Sequence, residues 1–504
     1  MRRPRVSTVV GAGFVLWGVA IGLARLHDNS YLTHVATGRL ILAHGVPTTD
    51  PYTFTAQGRP WVVESWLASL LYGVVERVAG GHGLQVMHGV LGAVLGGLGW
   101  VLTRPARQLV GRILAAAALL SVGTGYWSPR PLLIALVLLA LLAVMAEADQ
   151  GPLWPAVLVM WVWVNVHGSW PLALVYLVVR MAGRRAEGRG LGRLPALTGF
   201  SALGCALGAA NPIGLRLLSY PLVVFTHHAA FSHIAEWETP DFSDPTNALF
   251  LGAVLLAVVL LVARRGTVED VAVVAVFSAA ALSASRNVPV AAVVLVPVLA
   301  RGLAGLGTVD GTRRSVVTVA ALGLLAVLGG ALVDHALARP AFDLAAYPVT
   351  EVTWMQDHGL APGRVVAPDY VGNYLEFRYG ARAQVFVDDR VDVFPAAVER
   401  DYGTLLAGGP GWESVLDRHH VDVVLWPRSD PLASLLARAP GWREPVRDAR
   451  WVVAVRGGAG AGRPAPARAA RVVAGTPPAT HGDGGPEAAG PGPDGPGGGA
   501  NSQA

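Results

Sequence analysis

The residues best suited to chemistry are carboxylates, histidines and two arginines standing at the ends of apolar runs. Asp28 lies just past the first run, in HDNSYLTH, crowded by His27, Tyr31 and His34. Asp50 sits in a Pro-flanked turn, Pro47-Thr-Thr-Asp50-Pro51, and Glu64 falls near the start of WVVESWLASLLYGVVERVAG. Carboxylates abstract protons and ligate hard cations. Each also has a structural reading, Asp28 as a helix cap and Asp50 as a turn residue bonded to its own backbone. The segment WVNVHGSWP brings Asn165 and His167 to the turn between two short apolar runs. A buried His is often only a hydrogen-bonded packing residue, yet polar groups at membrane depth are functional candidates by default.

The stretch 211–246 supplies Asn211 in Asn-Pro-Ile-Gly, then HHAAFSHIAEWETPDFSD. His227, His228, His233, Glu236 and Glu238 do not have the spacing of a helical zinc site, and no cysteine assists them. Glu236 beside Trp237 suits an acid next to an aromatic platform for sugar or lipid; the alternative is a Trp anchored at the membrane interface. Arg130 in Ser-Pro-Arg-Pro and Arg286 with Asn287 in SASRNVP are outliers among the basic residues. A guanidinium at a span end can clamp a phosphate through its fork of donors, or pair with Asp28 or Glu236. Asp388, Asp389, Arg390 and Asp392 follow the strand-like QVFV and read as a salt-bridged turn.

The elements that must position these residues are membrane helices. The chain has 504 residues, 53% hydrophobic and only 14% charged, with a mean hydropathy of +0.47. Soluble proteins carry about 25% charged residues. All of the basic residues are Arg, and the net charge of +5 sits in short loops, where Arg orients spans. No basic face suggests nucleic acid. The lone Cys205 excludes a disulfide frame, and P-loop, G-x-S-x-G, C-x-x-C and dinucleotide signatures are missing.

A membrane-crossing helix needs roughly 20 apolar residues. The expected spans are 8–26, 83–103, 110–127, 131–147, 153–166, 168–181, 195–211, 247–263, 268–285, 288–303 and 315–333, about eleven in all by that rule. The first is read as an uncleaved span rather than a signal peptide. Segment 61–80 is apolar but carries Glu64, Glu76 and Arg77. If it lies flat at the interface, every Arg cluster falls on the cytoplasmic side. The first loop, 27–82, then lies outside with Asp28, Asp50, Glu64, Arg130, His167, Glu236 and Arg286. Residues 1–339 thus form a transmembrane domain. Residues 340–456 show short β-rich runs between helices at 349–359, 396–406 and 430–438, a small extracytoplasmic α/β domain. The Gly/Pro/Ala-rich tail from 457 cannot bury a core. The expected class is an all-α polytopic membrane protein with that appended domain, multi-pass in the cell membrane, N-terminus cytoplasmic.

With this topology the chain resembles the GT-C superfamily of membrane glycosyltransferases, which includes protein O-mannosyltransferases and lipid A aminoarabinose transferases. The resemblance rests on Asp28 with Tyr31 after the first span, the Asp50 turn, and the helix opening with Trp61, Glu64-Ser65-Trp66-Leu67 and closing at Gly80–Gly83. Within it the chain looks like a little-characterised bacterial subgroup with W-x-N-x-H-G, N-P-x-G, E-W and R-N motifs, matched by Trp163–Gly168, Asn211–Gly214, Glu236–Trp237 and Arg286–Asn287. The resemblance implies a polyprenyl-phosphate-linked sugar as donor and an envelope glycan, lipid or protein as acceptor. It implies Asp28 as base, Glu64 as a metal or acceptor contact, and Arg130 or Arg286 neutralising the lipid phosphate. It implies no cofactor beyond a divalent cation, Mg or Mn. The acidic pair common after the first span is Asp28-Asn29 here, and a later loop that often brings another Asp reads Ser128-Pro-Arg-Pro131. Other partners such as Glu236 and His167 then serve, or catalysis is lost. The alternative class is a non-enzymatic transporter or envelope-assembly protein. No internal repeat supports a transporter, and the polar residues sit at span ends rather than mid-bilayer.

Overall fold

Apolar runs free of internal charge fold as helices, because a helix satisfies its own backbone where water is scarce. A computed structural model describes residues 3–226, 235–307, 309 and 311–457. His227, His228 and His233 and the tail beyond 457 lie outside the described residues. The helices are α1 (Val6–Gly22), α2 (Asn29–His44), α3 (Trp66–Leu102), α4 (Leu109–Tyr126), α5 (Pro131–Glu147), α6 (Pro155–Val166), α7 (Pro171–Ala186), α8 (Leu194–Leu207), α9 (Leu215–Thr226), α10 (Pro245–Ala263), α11 (Val268–Ser283), α12 (Val288–Gly302) and α13 (Val316–Leu337). Each of the eleven expected spans corresponds to a helix or half-helix.

Length corrects the count. Among the described residues four helices are long and apolar enough to cross a membrane: Trp66–Ala106, Leu109–Tyr126, Pro245–Ala263 and Val316–Leu337. Shorter apolar helices cover Val6–Gly22, Pro131–Glu147, Pro155–Val166 and Leu194–Leu207. These are short: α6 has 12 residues, only about 18 Å at 1.5 Å per residue. The expected helix 61–80 also differs. It starts at Trp66 and runs on into the next segment, broken only at Gly80, whose φ of 62° and ψ of −162° interrupt the helix. Only glycine takes that conformation cheaply. A second helix, α2, fills what reads as loop.

α1 and α3 pack backbone to backbone. A Cβ on Gly18 would lie 2.1 Å from the Gly92 carbonyl oxygen, and one on Gly22 would lie 2.2 Å from that of His88. Small residues drive such contacts where lipid removes the hydrophobic incentive. At one end of the bundle, α5, α7, α11 and α12 are tied by ions: Arg180 bridges Glu147 (2.9 Å) and Glu269 (2.6 Å), and Arg301 bridges Glu147 (2.8 Å) and Asp270 (2.5 Å). The opposite end holds Asp28, Arg130, His167 and Arg286.

That end is covered by the C-terminal segment. After α13 come α14 (Val349–Asp357), β1 (Val365–Val366), α15 (Asp369–Tyr379), α16 (Ala396–Ala407), α17 (Trp412–Arg418), β2 (Val423–Pro427), α18 (Pro431–Leu436), β3 (Trp442–Arg447) and β4 (Trp451–Arg456). The sheet order is β1-β2-β4-β3, with β1 and β2 parallel and the other pairs antiparallel. It is stitched to the first loop. Leu26 pairs with Phe342 and Thr53 with Val385, while Thr33 donates to Glu376 at 2.8 Å.

Candidate active site

The bridge between Leu26 and Phe342 fixes the chain as it leaves α1, and Asp28 follows as the N-cap of α2. Its Oδ1 accepts from the Tyr31 amide at 3.4 Å, leaving Oδ2 for the Arg130 guanidinium. The Asp28 side chain is only 8% exposed. Arg130 stands at the N-cap of α5, its amide bonded to the Ser128 carbonyl at 2.7 Å. Its Nη1 reaches Glu236, so one guanidinium holds two carboxylates. Glu236 lies on a short turn, Ala235–Trp237, tied by Ser285 to the loop that carries Arg286. Arg286 stacks over Trp237 at 4.2 Å and makes no ion pair with the described residues. Burial pulls its guanidinium down while the charges of Glu236 and Glu64 push back.

Glu64 enters from the start of α3. Its Oε2 accepts from the Gly168 amide at 2.9 Å, and burial raises its carboxyl above the ordinary range. His167 turns Nδ1 toward Ser169, accepting that residue's amide at 3.1 Å. Burial, then the charge of Arg286, pushes it down to about 3. His34, bonded to Ser69 at 2.9 Å, is pushed down to about 4 by burial and Arg130. Both rings are neutral near pH 7.

The sequence names Asp389 in the charged strand end after QVFV but reads it as a salt-bridged turn and not as part of this site. Its carboxylate accepts from Ser30, two residues past Asp28, and burial with the neighbouring Asp388 pushes it up to about 6. Tyr220, bonded to the exposed Asp392, was missed. The only sequence signal for Asp389 was the strand end after QVFV.

Other candidates are bound up in the scaffold. Asp50 is buried, accepts from Thr53 N at 3.0 Å and pairs with Arg390 at 2.6 Å. Arg390 also binds Asp388, the salt-bridged turn the sequence suggests. Tyr31 packs its ring on Tyr72 at 4.8 Å. Asn165 accepts from Trp66 Nε1 at 2.8 Å and donates to the Trp161 carbonyl at 2.7 Å. Asn211 caps the turn at Ile213 and Gly214, and Asn287 donates to the Ala280 carbonyl. These hold the loops that carry the charged groups.

Among the described residues no group of three or more His, Cys, Asp or Glu is placed to hold a metal ion. Asp28 and Glu236 each give one oxygen to Arg130. Next to the site runs an apolar groove of about 310 Å3, lined by Leu67, Leu70, Leu71, Val74, Ile134, Val162 and Val166. It begins one residue from His167 and four from Arg130.

No protein-family model matches the chain, and no curated protein resembles it in sequence. Solved structures resemble it in fold. The apo oligosaccharyltransferase of Archaeoglobus fulgidus matches with a TM-score of 0.55 at 12% identity, over 83% of this chain and 69% of that one. The chain shares the fold of that enzyme. The archaeal oligosaccharyltransferase AglB from Archaeoglobus fulgidus, in complex with an inhibitory peptide and a dolichol-phosphate, matches with a TM-score of 0.50 at 11% identity over the same shares. The likeness is one of fold, and it agrees at that level with the GT-C resemblance.

Asp389 gives the site a pH signature. Its folded carboxyl titrates near 6 against an ordinary 3.8, so the folded state keeps a proton the unfolded chain has lost. That contribution is complete below the unfolded value and vanishes as pH rises through 6. Wild-type melting temperature should therefore carry a downward component between pH 4 and 6, and Asp389→Asn should remove it. Parallel melting curves for the two proteins across that range would refute the assignment.

Proposed function

We propose that this chain is a membrane glycosyltransferase that moves a sugar from a polyprenyl-phosphate donor to an envelope glycan, lipid or protein at the extracytoplasmic face. The observation that carries the reading is Asp28, the N-cap of α2, its side chain buried directly after the first helix and paired to Arg130, on a fold shared with an oligosaccharyltransferase. Asp28 takes the proton from the acceptor. The acceptor's nucleophilic atom bonds to the anomeric carbon, and the bond from that carbon to phosphate breaks with its electron pair leaving on the lipid phosphate. Arg130 is already shared by two carboxylates, so Arg286 on its Trp237 platform is the phosphate partner. The apolar groove beside His167 suits the lipid chain. No step is routed through Mg or Mn.

In this reading the four shorter apolar helices and α7, α11 and α12 cross together with the four long ones, giving about eleven spans. The half of α3 before Gly80 lies along the interface, residues 1–339 are the membrane domain and 340–456 the outer domain. The N-terminus is cytoplasmic.

The test is reconstitution: protein in lipid vesicles, radiolabelled polyprenyl-phosphate hexoses and an envelope fraction, with label in the acceptor as readout. No transfer from any donor, together with an unchanged envelope glycan profile in a deletion strain, would sink the proposal. In the same assay Arg286→Ala should lower kcat by about 10²–10³-fold, the size seen for losing one stabiliser of developing charge. Arg286→Lys should recover part of it. Equal kcat for all three proteins would remove Arg286 from the phosphate role.

A further inference from the structure

The bundle end opposite Asp28 carries a second charged feature, and this one is uncompensated. Three stretches of chain meet there. Arg5 and Arg314 form an antiparallel bridge, and the Val6 amide donates to the Arg313 carbonyl at 3.0 Å. The Ser7 amide donates to the Gly311 carbonyl at 2.9 Å, and a Cβ on Gly311 would lie 3.6 Å from Leu109 Cβ. Leu109 opens α4, two residues after Arg107 and three before Arg112. Arg112 Nε donates to Thr103 Oγ1 at 3.0 Å, and Arg104 is the residue after Thr103. Five of these arginines are exposed and Arg112 is half-buried.

Nearby charges cancel and these do not. Arg180, Arg184, Arg189 and Arg301 face Glu147, Glu187, Glu269 and Asp270. Arg5, Arg104, Arg107, Arg112, Arg313 and Arg314 make no ion pair with a described residue. Arg112 is held by neutral partners instead: Nη2 donates to the Trp100 carbonyl at 3.0 Å, and the guanidinium lies 4.0 Å over the Trp100 ring. These contacts position the cation without cancelling it. The six charges exceed the +5 of the whole chain. Asp310, outside the described residues, offsets at most one of them. Span orientation accounts for arginines in short loops, but not for three segments gathered at one corner.

The complement is an anion, and the surroundings select its kind. Directly after Arg314 and Ser315, Val316 and Val317 are 62% and 73% exposed at the start of α13. A soluble polyanion gains nothing from those valines. A phospholipid lays its phosphate on the arginines and its acyl chains along α13, and basic pockets between membrane helices suit such headgroups.

We propose that this corner binds an anionic phospholipid of the leaflet opposite Asp28. The proposal rests on the membrane placement above and not on sugar transfer. Helix α4 puts 18 residues between this corner and Tyr126, roughly 27 Å, so the bound lipid is distinct from any sugar donor at Asp28.

Full-length protein in neutral detergent is titrated with phosphatidylglycerol, cardiolipin and phosphatidylcholine, and bound lipids are counted by native mass spectrometry. Wild type should bind one anionic lipid about a hundredfold or more tighter than phosphatidylcholine. Arg313→Gln with Arg314→Gln should weaken that binding roughly twentyfold, about fivefold per charge. Arg313→Lys with Arg314→Lys should keep most of it, and phosphatidylcholine binding should be unchanged in both, which a misfolded protein would not show. Arg185→Gln with Arg265→Gln removes two exposed charges outside the corner and should cost less than about twofold. Equal wild-type affinity for the three lipids overturns the proposal. So does an equal loss in the two Gln pairs, which marks general surface charge. Displacement of the lipid by pyrophosphate or an oligonucleotide at physiological salt overturns it too, assigning the corner to a soluble anion. Sugar transfer is measured separately, so failure here leaves the glycosyltransferase reading untouched.

Discussion

Asp28→Asn is expected to lower sugar transfer by about 10²–10⁴-fold, the range a positioned general base contributes, with the protein folded and present at wild-type levels. The variant separates the two readings of this residue. Asn is as good an N-cap as Asp, so the bond from the Tyr31 amide and the start of α2 persist. What disappears is a carboxylate able to take a proton, and with it the charged bond to Arg130. Arg130 keeps Glu236 as a partner, so no buried cation is stranded. A residue that merely caps a helix predicts unchanged transfer. Transfer in reconstituted vesicles, normalised to folded protein, decides between them. A transporter makes a third prediction, substrate movement that survives the substitution.

Much of the helical frame was legible because lipid imposes one rule on every span. The run Pro131–Glu147 was read to the residue, since Pro opens it and charge closes it. Crossing length was less legible. A run of apolar letters does not reveal that α6 stops after 12 residues at Val166, where the backbone of His167 turns extended. Helix α2 was hidden by its own composition: NSYLTHVATGRLILAH mixes Thr, Gly and His into a weakly patterned stretch. Its stability comes from partners on two sides: α3, where Gly38 lies against Gly73 and Arg39 pairs with Glu76, and the α/β segment, with Thr33 on Glu376 and Arg39 on the Phe377 carbonyl. β3 was missed for a related reason. WREPVR carries charges and Pro445, features of an edge strand, and its pairing slips between Arg443 and Val446.

The site divides along the same line. Residues at span ends, such as Asp28, Arg130 and Arg286, were visible because a charge there breaks the local pattern. Pairs made across the fold were not. Asp50 meets Arg390 from 340 positions away, and Ser30 meets Asp389 from 359. Nothing local marks either pairing. Both follow from the bridges that fasten the first loop to the C-terminal segment. That fastening turns a carboxylate expected in a surface turn into a neighbour of Arg130.

Glu269→Ala is expected to destabilise the protein by about 3–5 kcal/mol, the cost of stranding a buried charge, through an effect at the end of the bundle far from Asp28. Glu269 is 4% exposed and binds Arg180 at 2.6 Å and Arg184 at 2.7 Å. Without it Arg180, itself 2% exposed, keeps the Tyr176 hydroxyl and one carboxylate, Glu147, which Arg301 also claims. The penalty comes from the unpaired guanidinium rather than from lost attraction. Removing both members, Glu269→Ala with Arg180→Met, should therefore cost much less than Glu269→Ala alone. Thermal unfolding of the single and double variants in lipid checks the cycle. Additive losses would mean that water reaches the cluster and solvates each charge separately. Transfer per folded molecule should stay at the wild-type level in both, because the charges that touch substrate lie at the other end of α5, α7, α11 and α12.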